Sequence, residues 1–546
     1  MKKYFFSFLV LSGLILSCQK SKKTNTKPKL VIGIVVDQMR YDYLTKYTDR
    51  YGEDGFKRLL NDGFSLTNGH FNYIPTYTAV GHASVYTGTT PDHHGVIGNN
   101  WYDKYLKKNI YCVNDFKYTT VGLEGKAGQK SPYRLATTTI TDQLHLAQNM
   151  RGKTIGIAIK DRSAVIPAGH TANAAYWYEG GKDNKWISSS FYMDKLPSWV
   201  TDFNSNNKAN EYLSSPWNTL YDINTYTQST ADDNIFEGTF MGEEKPIFPH
   251  NLPELRKKGN GGYDIIKSTP FGNTLTLDFA KKAILGEQLG KGSDIDFLAI
   301  SLSSTDYVGH KYGTNAIETE DTYLRLDKDL ADLFQFLDKV VGKGSYTLFL
   351  TADHGAVAVP GYLKSLKIPA NYFNWKEFYT FLKDTSKAKY GSSDIIEYFS
   401  NNQIFLNKEK LKQLKLNEHH VAEYLIGEII NFENVYKAVS AKTLQTTSFT
   451  SGVLHKLQKG YNQKLSGDIL IVPTPASIGT RKTGTTHGSG YSYDTHIPII
   501  FYGAGIKQGT TAKEYAVTDI APTLSILLGI EFPNGSTGQV VEEVLE

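Results

Sequence analysis

The sequence has few cysteines, no excess of charge of one sign, and no long apolar run after residue 16. Its 546 residues include two cysteines, Cys18 and Cys112, which excludes a disulfide scaffold, a cysteine-ligated zinc finger and an iron–sulfur protein. Lys and Arg number 59 against 55 Asp and Glu, so nothing favours a nucleic-acid partner held by phosphate electrostatics. With 40% hydrophobic and 21% charged residues, the composition is typical of a globular protein.

The N-terminal segment has the features of an export signal. Lys2 and Lys3 precede an apolar stretch over residues 4–16, which has the length of a signal-peptide core and is short for a membrane span. Residues 15–18 resemble a bacterial lipobox that ends in Cys18. We therefore predict a signal peptide over 1–17, a polar tether over 18–29, and export to the periplasm or to the outer membrane through a lipid anchor on Cys18. An ordinary cleaved signal with an incidental cysteine is the alternative.

Short, continuously apolar runs predict buried parallel strands at 30–36, 154–159, 297–302, 347–350, 469–472 and 497–502. Helical patterns alternate with them at 53–61, 77–86, 139–149, 274–289, 316–341 and 519–528. This alternation predicts an α/β fold, a mostly parallel central sheet with helices on both faces, in one domain over 30–546. Two stretches interrupt the pattern and predict insertions. Residues 165–270, rich in Asn, Gly, Tyr and Trp, predict long loops or a cap, and the Lys-rich residues 361–465 predict a small subdomain.

Three of the apolar runs lead into an aspartate: Asp37, Asp306 and Asp353. In an open parallel sheet, ligands bind outside the carboxyl ends of the strands. Three carboxylates at that one edge would repel one another strongly unless something neutralised them. Bound cations would neutralise these carboxylates.

Histidines accompany these aspartates. His310 follows Asp306 by four positions, His354 is adjacent to Asp353, and His487 lies in a loop of small residues. Three Asp and three His supply oxygen and nitrogen donors that suit Zn²⁺, and six such ligands fit two ions better than one. Each aspartate alone would more simply be a helix cap or a turn residue, and each Asp–His pair alone would more simply be incidental. The prediction of a metal site therefore depends on the whole set.

A nucleophile is predicted near residue 78. The segment 74–84 contains a turn followed by the start of a helix rich in small residues. Thr78 would lie at the helix N-terminus, where free backbone N–H groups favour an incoming anion. Thr76 is the competing choice, and a plain capping role is the simpler interpretation of either threonine.

Taken in order, these residues resemble the alkaline phosphatase superfamily, and most closely its monomeric, broad-specificity bacterial phosphate monoesterases with a threonine nucleophile. The matching pieces, in chain order, are the Asp37 strand, Pro75-Thr76-Tyr77-Thr78, Thr90-Pro91-Asp92-His93-His94-Gly95, Gly98-Asn99-Asn100-Trp101-Tyr102-Asp103, Lys160-Asp161-Arg162, Asp306 with His310, Asp353-His354-Gly355, and His487-Gly488. The sulfatase branch uses a Cys or Ser in a motif that the residues around Thr78 do not match.

The resemblance implies an exported alkaline phosphatase that hydrolyses small-molecule phosphate monoesters through a phosphothreonine and acts as a monomer with two Zn²⁺. It implies one zinc held by Asp306, His310 and His487. It implies a second zinc held by Asp37, Asp353 and His354, with the Thr78 oxygen as a further ligand. Asn99 would bind a phosphate oxygen, with Asn100 as the less favoured choice. Lys160 and Arg162 match the pair that distinguishes the monoesterases from the related phosphodiesterases.

Two other functions stay open at this stage. The first is a phosphodiesterase or nucleotide pyrophosphatase on the same fold, against which the Lys160 and Arg162 pair argues. The second is a surface lipoprotein without catalysis, which would bind glycans by stacking sugars on exposed aromatic rings. The rings considered for that role are Tyr176, Trp177, Tyr178 and Trp186.

Overall fold

The computed structural model describes residues 27–546. The predicted signal peptide 1–17, the predicted anchor residue Cys18 and most of the predicted tether 18–29 lie outside the described residues. Within the described part of the chain, none of the helices combines the length and the apolar character needed to cross a membrane.

The described residues form strands that we number in chain order. They are β1 (Leu30–Val36), β2 (Phe64–His70), β3 (Asn100–Asp103), β4 (Lys108–Tyr111), β5 (Thr120–Val121), β6 (Thr154–Ala158), β7 (Ala174–Glu179), β8 (Lys185–Ser189), β9 (Asp296–Leu302), β10 (Tyr346–Thr351), β11 (Asn371–Phe373), β12 (Ile396–Ser400), β13 (Gln403–Leu406), β14 (Val435–Ser440), β15 (Ile469–Pro473), β16 (Ser477–Gly479), β17 (Ile499–Gly503) and β18 (Gly509–Ala516).

The α-helices are numbered in the same way. They are α1 (Tyr43–Lys46), α2 (Phe56–Asp62), α3 (Thr78–Thr87), α4 (Pro91–His94), α5 (Ile140–Ala147), α6 (Asp161–Ala168), α7 (Ser198–Ser205), α8 (Lys208–Tyr212), α9 (Leu252–Leu255), α10 (Phe271–Gly286), α11 (Ser304–Tyr312), α12 (Ile317–Leu337), α13 (Pro360–Ser365), α14 (Trp375–Tyr390), α15 (Lys408–Gln413), α16 (Glu418–Ile429), α17 (Ala441–Thr446), α18 (Gly452–Gly460), α19 (Ser492–Thr495) and α20 (Ile520–Leu528).

A ten-stranded sheet forms the centre of the fold, in the order β18-β2-β17-β10-β1-β9-β6-β7-β8-β5. Its middle strands β10, β1, β9, β6 and β7 run parallel to one another. β1 and β9 are buried along their whole length and most of their residues are apolar, as expected of strands covered on both faces. The predicted α/β fold with a mostly parallel central sheet and helices is confirmed.

Two of the six predicted strands differ from the prediction in partner or direction. Residues 499–503 form β17, which belongs to the central sheet but runs antiparallel to β10 and β2. The run at 469–472 forms β15, which lies outside the central sheet and pairs antiparallel with β13 and β14. An apolar run indicates that a strand is buried. It does not indicate which sheet the strand joins or in which direction the strand runs.

The stretch 165–270 does not begin as a loop or a cap. Its first part continues α6 and then supplies β7 and β8 of the central sheet. The rings of Tyr176, Trp177, Tyr178 and Trp186 are at most 2% exposed on these strands. The predicted glycan-binding rings therefore have no face to offer a sugar, and that alternative is wrong because aromatic residues here serve as buried strand formers.

The stretch 361–465 contributes most of a second, four-stranded sheet in the order β12-β13-β15-β14, which we call the small sheet. Side chains from α14, α15 and α16 pack with those of the small sheet in a hydrophobic cluster of their own. The described residues thus support a separate core in this region, while the exact domain boundaries stay a prediction.

A glycine in β6 allows α6 to pack directly on the central sheet. A Cβ atom at Gly156 would lie 2.2 Å from the backbone oxygen of Ala164 and 3.0 Å from the Cβ of Ala168. This close approach sets the position of the turn between β6 and α6, which carries Lys160 and Arg162.

We expect Gly156→Ala to lower the free energy of unfolding by about 1–3 kcal/mol, because the added methyl group overpacks a backbone contact. Gly427→Ala is the matched control, since Gly427 lies inside α16 with no atom within 4 Å of the added Cβ. The control should raise stability by about 0.5–1 kcal/mol. Chemical denaturation measures both, and equal effects at the two sites would contradict the packing argument.

Candidate active site

Asp37, Asp306 and Asp353 meet at one edge of the central sheet. The strands β10, β1 and β9 are parallel neighbours, so their carboxyl ends lie side by side. Asp37 directly follows β1, Asp353 follows β10 by two positions, and Asp306 lies in the first turn of α11 after β9. All three side chains are buried.

The first set of ligands contains Asp306, His310 and His487, with one ligand atom from each within 4.8 Å of the others. Asp306 Oδ1 lies 3.1 Å from His310 Nε2 and 3.7 Å from His487 Nε2. Asp306 and His310 share one face of α11 because they are one turn apart. His487 comes from the loop between β16 and α19.

The second set contains Asp37, Asp353 and His354, again within 4.8 Å of one another. His354 Nε2 lies 3.5 Å from Asp37 Oδ1 and 3.6 Å from Asp353 Oδ2. The rings of His354 and His487 stack with their centroids 3.4 Å apart. The two sets are therefore adjacent, and the structure brings together all six residues that the sequence predicted as ligands.

Backbone carbonyls orient all three imidazole rings. Each ring donates its Nδ1–H to a carbonyl oxygen: His310 to Thr485 at 2.7 Å, His487 to Thr76 at 2.7 Å and His354 to Gly355 at 3.0 Å. This arrangement leaves Nε2 of each ring as the lone-pair nitrogen that faces the carboxylates. Such contacts are the usual support of metal-binding histidines.

The second set contains buried polar atoms that no protein group satisfies. Asp37 Oδ1, Asp353 Oδ2 and His354 Nε2 are buried and have no hydrogen-bond partner. Buried polar atoms normally have one, and a cation would serve all three at once. Together with the donor chemistry of the first set, this observation fits a divalent cation in each set.

The electrostatics of the aspartates point to missing positive charge. Burial raises the pKa of Asp37 to about 6, although Lys160 opposes the shift. Burial, and then the charge of Asp37, raises the pKa of Asp353 well above its ordinary value. Burial would also raise the pKa of Asp306, but His310 and Lys160 hold it well below the usual range.

Lys160 lies between the two sets. Its ammonium group is 2.7 Å from Asp37 Oδ2 and 2.6 Å from Asp306 Oδ2, and the residue is 5% exposed. Burial acts against its charge, but Asp306 and Asp37 outweigh that effect and raise the pKa of Lys160. Lys160 contacts the Oδ2 atom of each carboxylate, whereas the histidines face the Oδ1 atoms.

Arg162 lies in the first turn of α6, two positions after Lys160. Its Nη1 donates to the hydroxyl of Tyr111 at 3.2 Å, and Tyr111 in turn donates to Asp161. Its buried Nε has no hydrogen-bond partner. The guanidinium is thus held by a neighbouring tyrosine and keeps a donor for a bound anion.

Thr78 is the first residue of α3 and is 1% exposed. The helix packs against the second ligand set at Gly81, where a Cβ atom would lie 2.2 Å from the backbone oxygen of Asp353. His82, one turn after Thr78, is 3.5 Å from Asp353 Oδ2. By contrast, the competing Thr76 donates its hydroxyl to Ser489 O at 2.9 Å.

Asn99 reaches the same helix. Its side-chain oxygen accepts a hydrogen bond from the backbone N–H of Ala79 at 2.9 Å, directly after Thr78. This contact directs the carbonyl half of the amide to the helix and leaves the NH₂ half as a donor. Asn100, the less favoured choice, is exposed at the start of β3.

Gln38 links the two sets and was not among the site residues predicted from the sequence. Its backbone N–H donates to Asp353 Oδ1 at 3.1 Å, and its side-chain amide donates to Asp306 Oδ1 at 2.6 Å. Gln38 is 3% exposed and adopts a φ of 63°, a conformation that costs energy in a residue other than glycine. The one sequence signal was its place directly after Asp37.

Comparison with known proteins assigns the family. The profile of the family described as type I phosphodiesterase / nucleotide pyrophosphatase matches residues 31–496. This chain belongs to that family. The resemblance to the alkaline phosphatase superfamily, to which the family belongs, is thereby confirmed.

Several known proteins match this chain over nearly their whole lengths. A protein of Myroides odoratus named calcium-transporting ATPase is 48% identical over 99% of this chain and 97% of its own. Alkaline phosphatase PhoV of Synechococcus elongatus is 46% identical over 96% of this chain and 94% of its own. The crystal structure of alkaline phosphatase PafA, a protein known from Elizabethkingia meningoseptica, superposes with a TM-score of 0.92 at 44% identity. The superposition covers 95% of this chain and 99% of the PafA chain.

We expect Gln38→Met to lower kcat/KM for a phosphate monoester by about ten- to a hundredfold, because residues that hold metal ligands in place usually matter to that extent. The change keeps the length of the side chain but removes the amide that donates to Asp306. Gln335→Met, an exposed position of α12, is the control and should behave as wild type. Unchanged kinetics for Gln38→Met would show that the link is dispensable.

Proposed function

We propose that this member of the family hydrolyses phosphate monoesters through a phosphothreonine at Thr78, with two divalent cations held by the two ligand sets. Close relatives named alkaline phosphatases support the enzyme class, a phosphoric monoester hydrolase. One observation carries the proposal: two adjacent ligand sets, an ammonium group between them and the N-terminus of α3 converge on one edge of the central sheet.

Asp306, His310 and His487 would hold one cation, and Asp37, Asp353 and His354 the other. When bound, the ions would supply positive charge that lowers the pKa of the threonine hydroxyl and stabilises the departing oxygen. Zinc is the ion we favour, since three nitrogen and oxygen ligands per ion leave positions for substrate. Manganese or cobalt would accept the same ligands.

Thr78 would attack the phosphorus in line with the ester bond. Its Oγ1 loses a proton and forms the new P–O bond, while the bond to the alcohol oxygen breaks and the alcohol leaves with a proton. Water then attacks the phosphothreonine, which releases inorganic phosphate and restores the hydroxyl. The N–H groups at the start of α3, apart from that of Ala79, which donates to Asn99, would stabilise the negative charge of the phosphoryl group throughout.

Asn99, Arg162 and Lys160 would recognise the phosphate. Asn99 and Arg162 would donate to non-bridging oxygens, and Lys160 would add a charge between the two ligand sets. A solved variant of PafA carries substitutions at a threonine, an asparagine, a lysine and an arginine. In that protein the first two are 21 positions apart and the last two are two apart, as are Thr78 and Asn99, and Lys160 and Arg162, here.

The family description favours a second candidate function, the hydrolysis of phosphodiesters. A monoester carries two negative charges on its non-bridging oxygens, whereas a diester carries one and bears a second ester group. A lysine and an arginine at the phosphate site therefore favour the monoester. Hydrolysis of ATP, suggested by the name of the Myroides relative, would be a reaction of the same kind at a terminal phosphate.

Export and a monomeric state are further parts of the proposal. The signal-like residues 1–17 and the lipobox-like ending at Cys18 support export, either to the periplasm or to the outer membrane through a lipid anchor. Small phosphate esters would reach the enzyme in that compartment without crossing the inner membrane.

Thr78→Ala should abolish the covalent phosphoenzyme and lower kcat by about a thousandfold or more, because the nucleophile is lost. Acid-quenched enzyme analysed by mass spectrometry detects the phosphothreonine. Thr76→Val is the matched control and should still form the adduct at residue 78. A phosphoryl group on Thr76, or an adduct that persists in Thr78→Ala, would contradict the assignment.

The double variant Lys160→Ala with Arg162→Ala should lower kcat/KM for phenyl phosphate at least about tenfold more than for methyl phenyl phosphate, because charge-assisted hydrogen bonds to the second charge are lost. Arg151→Ala with Lys153→Ala is the control, because this pair has the same spacing at the opposite, exposed end of β6. Equal losses on the two substrates would refute the charge argument, and a wild-type preference for the diester would favour the phosphodiesterase.

A further inference from the structure

A cleft of about 390 Å³ adjoins the candidate active site on one side. Of the six proposed metal ligands, His487 is the one that lines it, together with the neighbouring ring of Tyr77. Lys160, Arg162 and Asn99 are not among the described residues that form its wall. We assign the departing oxygen to the set of Asp306, His310 and His487, because Thr78 lies against the other set at Gly81 and His82. The cleft therefore opens beside the set for the departing oxygen, and away from the groups that we assign to the phosphate.

Four aromatic side chains besides Tyr77 line the cleft, and we call them the aromatic wall. Trp375 and Phe399 belong to the region of the small sheet, and their ring centroids are 5.8 Å apart. Tyr491 and Tyr493 follow His487 in sequence, and their centroids are 5.7 Å apart. All four side chains are partly exposed, in contrast to the buried aromatic residues of β7 and β8.

Hydrogen bonds hold the two tyrosines in place. Tyr491 donates its hydroxyl to the carbonyl of Pro473 at 2.7 Å, and the hydroxyl of Tyr493 accepts from the backbone N–H of Ala476 at 3.0 Å. Trp375 packs against the buried Phe373 with ring centroids 4.2 Å apart. The wall is thus formed before any ligand binds, which reduces the entropy lost on binding.

The small sheet is also tied to the phosphate side of the site. Asn401, in the turn between β12 and β13, donates its side-chain amide to the backbone oxygen of Asn100 at 2.6 Å. Asn100 directly follows Asn99, whose own backbone oxygen accepts from Cys112 N at 3.0 Å. The hydrogen bond from Asn401 to Asn100 thus connects the lining of the cleft to the residue next to the proposed phosphate donor.

We propose that the cleft is the leaving-group subsite, and that it selects phosphate monoesters whose alcohol carries a flat aromatic ring. The inference rests on the proposed function, because His487 faces the departing oxygen only if that reaction occurs. The volume lies in the range of small-ligand pockets and suits a single ring or a fused pair. Offset or edge contacts with the four aromatic side chains would supply the selectivity.

Matched substrates test the inference without changing the chemistry of the leaving oxygen. Ethyl phosphate, 2-phenylethyl phosphate and 2-cyclohexylethyl phosphate release primary alkoxides of similar basicity and differ in the attached group. Ribose 5-phosphate and adenosine 5′-monophosphate form a second pair that tests a nucleoside as the source of the ring. In the wild type we expect kcat/KM for the phenylethyl ester to exceed that of the other two esters about tenfold, the usual effect of stacking.

Two variants assign the effect to the wall. Trp375→Ala should reduce the preference for phenylethyl over ethyl phosphate about tenfold, and Trp375→Leu should do the same while keeping apolar bulk if the alanine variant fails to fold. Tyr379→Ala is the control, because Tyr379 lies on α14 with Trp375 but does not line the cleft. It should keep the wild-type preference.

The outcomes separate the inference from the function on which it rests. A preference that survives in both Trp375 variants, or equal kcat/KM for all three esters in the wild type, would overturn the subsite. Equal values for the phenyl and cyclohexyl esters would overturn its selectivity for aromatic rings. Absence of phosphate release from every monoester, ethyl phosphate included, would instead refute the proposed function. A high ratio of adenosine monophosphate to ribose phosphate that falls in the Trp375 variants would support a nucleoside as the natural source of the ring.

Discussion

The repulsion among carboxylates in a buried space is the constraint on which the rest of this site depends. Adjacent parallel strands deliver Asp37, Asp306 and Asp353 to one edge, where water cannot screen them. Lys160 compensates part of that charge and contacts two of the three. The surrounding groups hold these carboxylates and the nearby imidazoles in position. Three backbone carbonyls orient the imidazoles, and Gln38 links Asp306 to Asp353 from a strained backbone conformation.

The ligand residues could be predicted because strand ends and donor types leave local traces in a sequence. A buried strand followed by an aspartate places that carboxylate at the sheet edge wherever the neighbouring strands are parallel. The His310 spacing on α11 and the small residues around His487 are equally local features. The α/β class followed from alternating strand and helix patterns, and the structure agrees for four of the six predicted strands, at 30–36, 154–158, 296–302 and 346–351.

Features that depend on pairing or on distant contacts could not be predicted. Nothing in the run at 469–472 distinguishes a strand of the small sheet from one of the central sheet, since both are buried. The aromatic residues at 176–186 have the composition of a loop-rich binding surface, but β7 and β8 bury them. Gln38 carries neither a charge nor a nucleophile, so only the fold reveals its two hydrogen bonds. The cleft beside His487 forms from segments that are distant in sequence, from Tyr77 to Asp494.

The central claim is that the two ligand sets each hold a divalent cation beside Thr78. Metal content determined by mass spectrometry, together with turnover of a phosphate monoester, tests it most directly in the purified protein, in Asp353→Asn and in His487→Ala. The account predicts about two equivalents of metal in the wild type and about one in each variant, with turnover lost on chelation and restored by added zinc. Undiminished hydrolysis by the fully demetallated protein would contradict it.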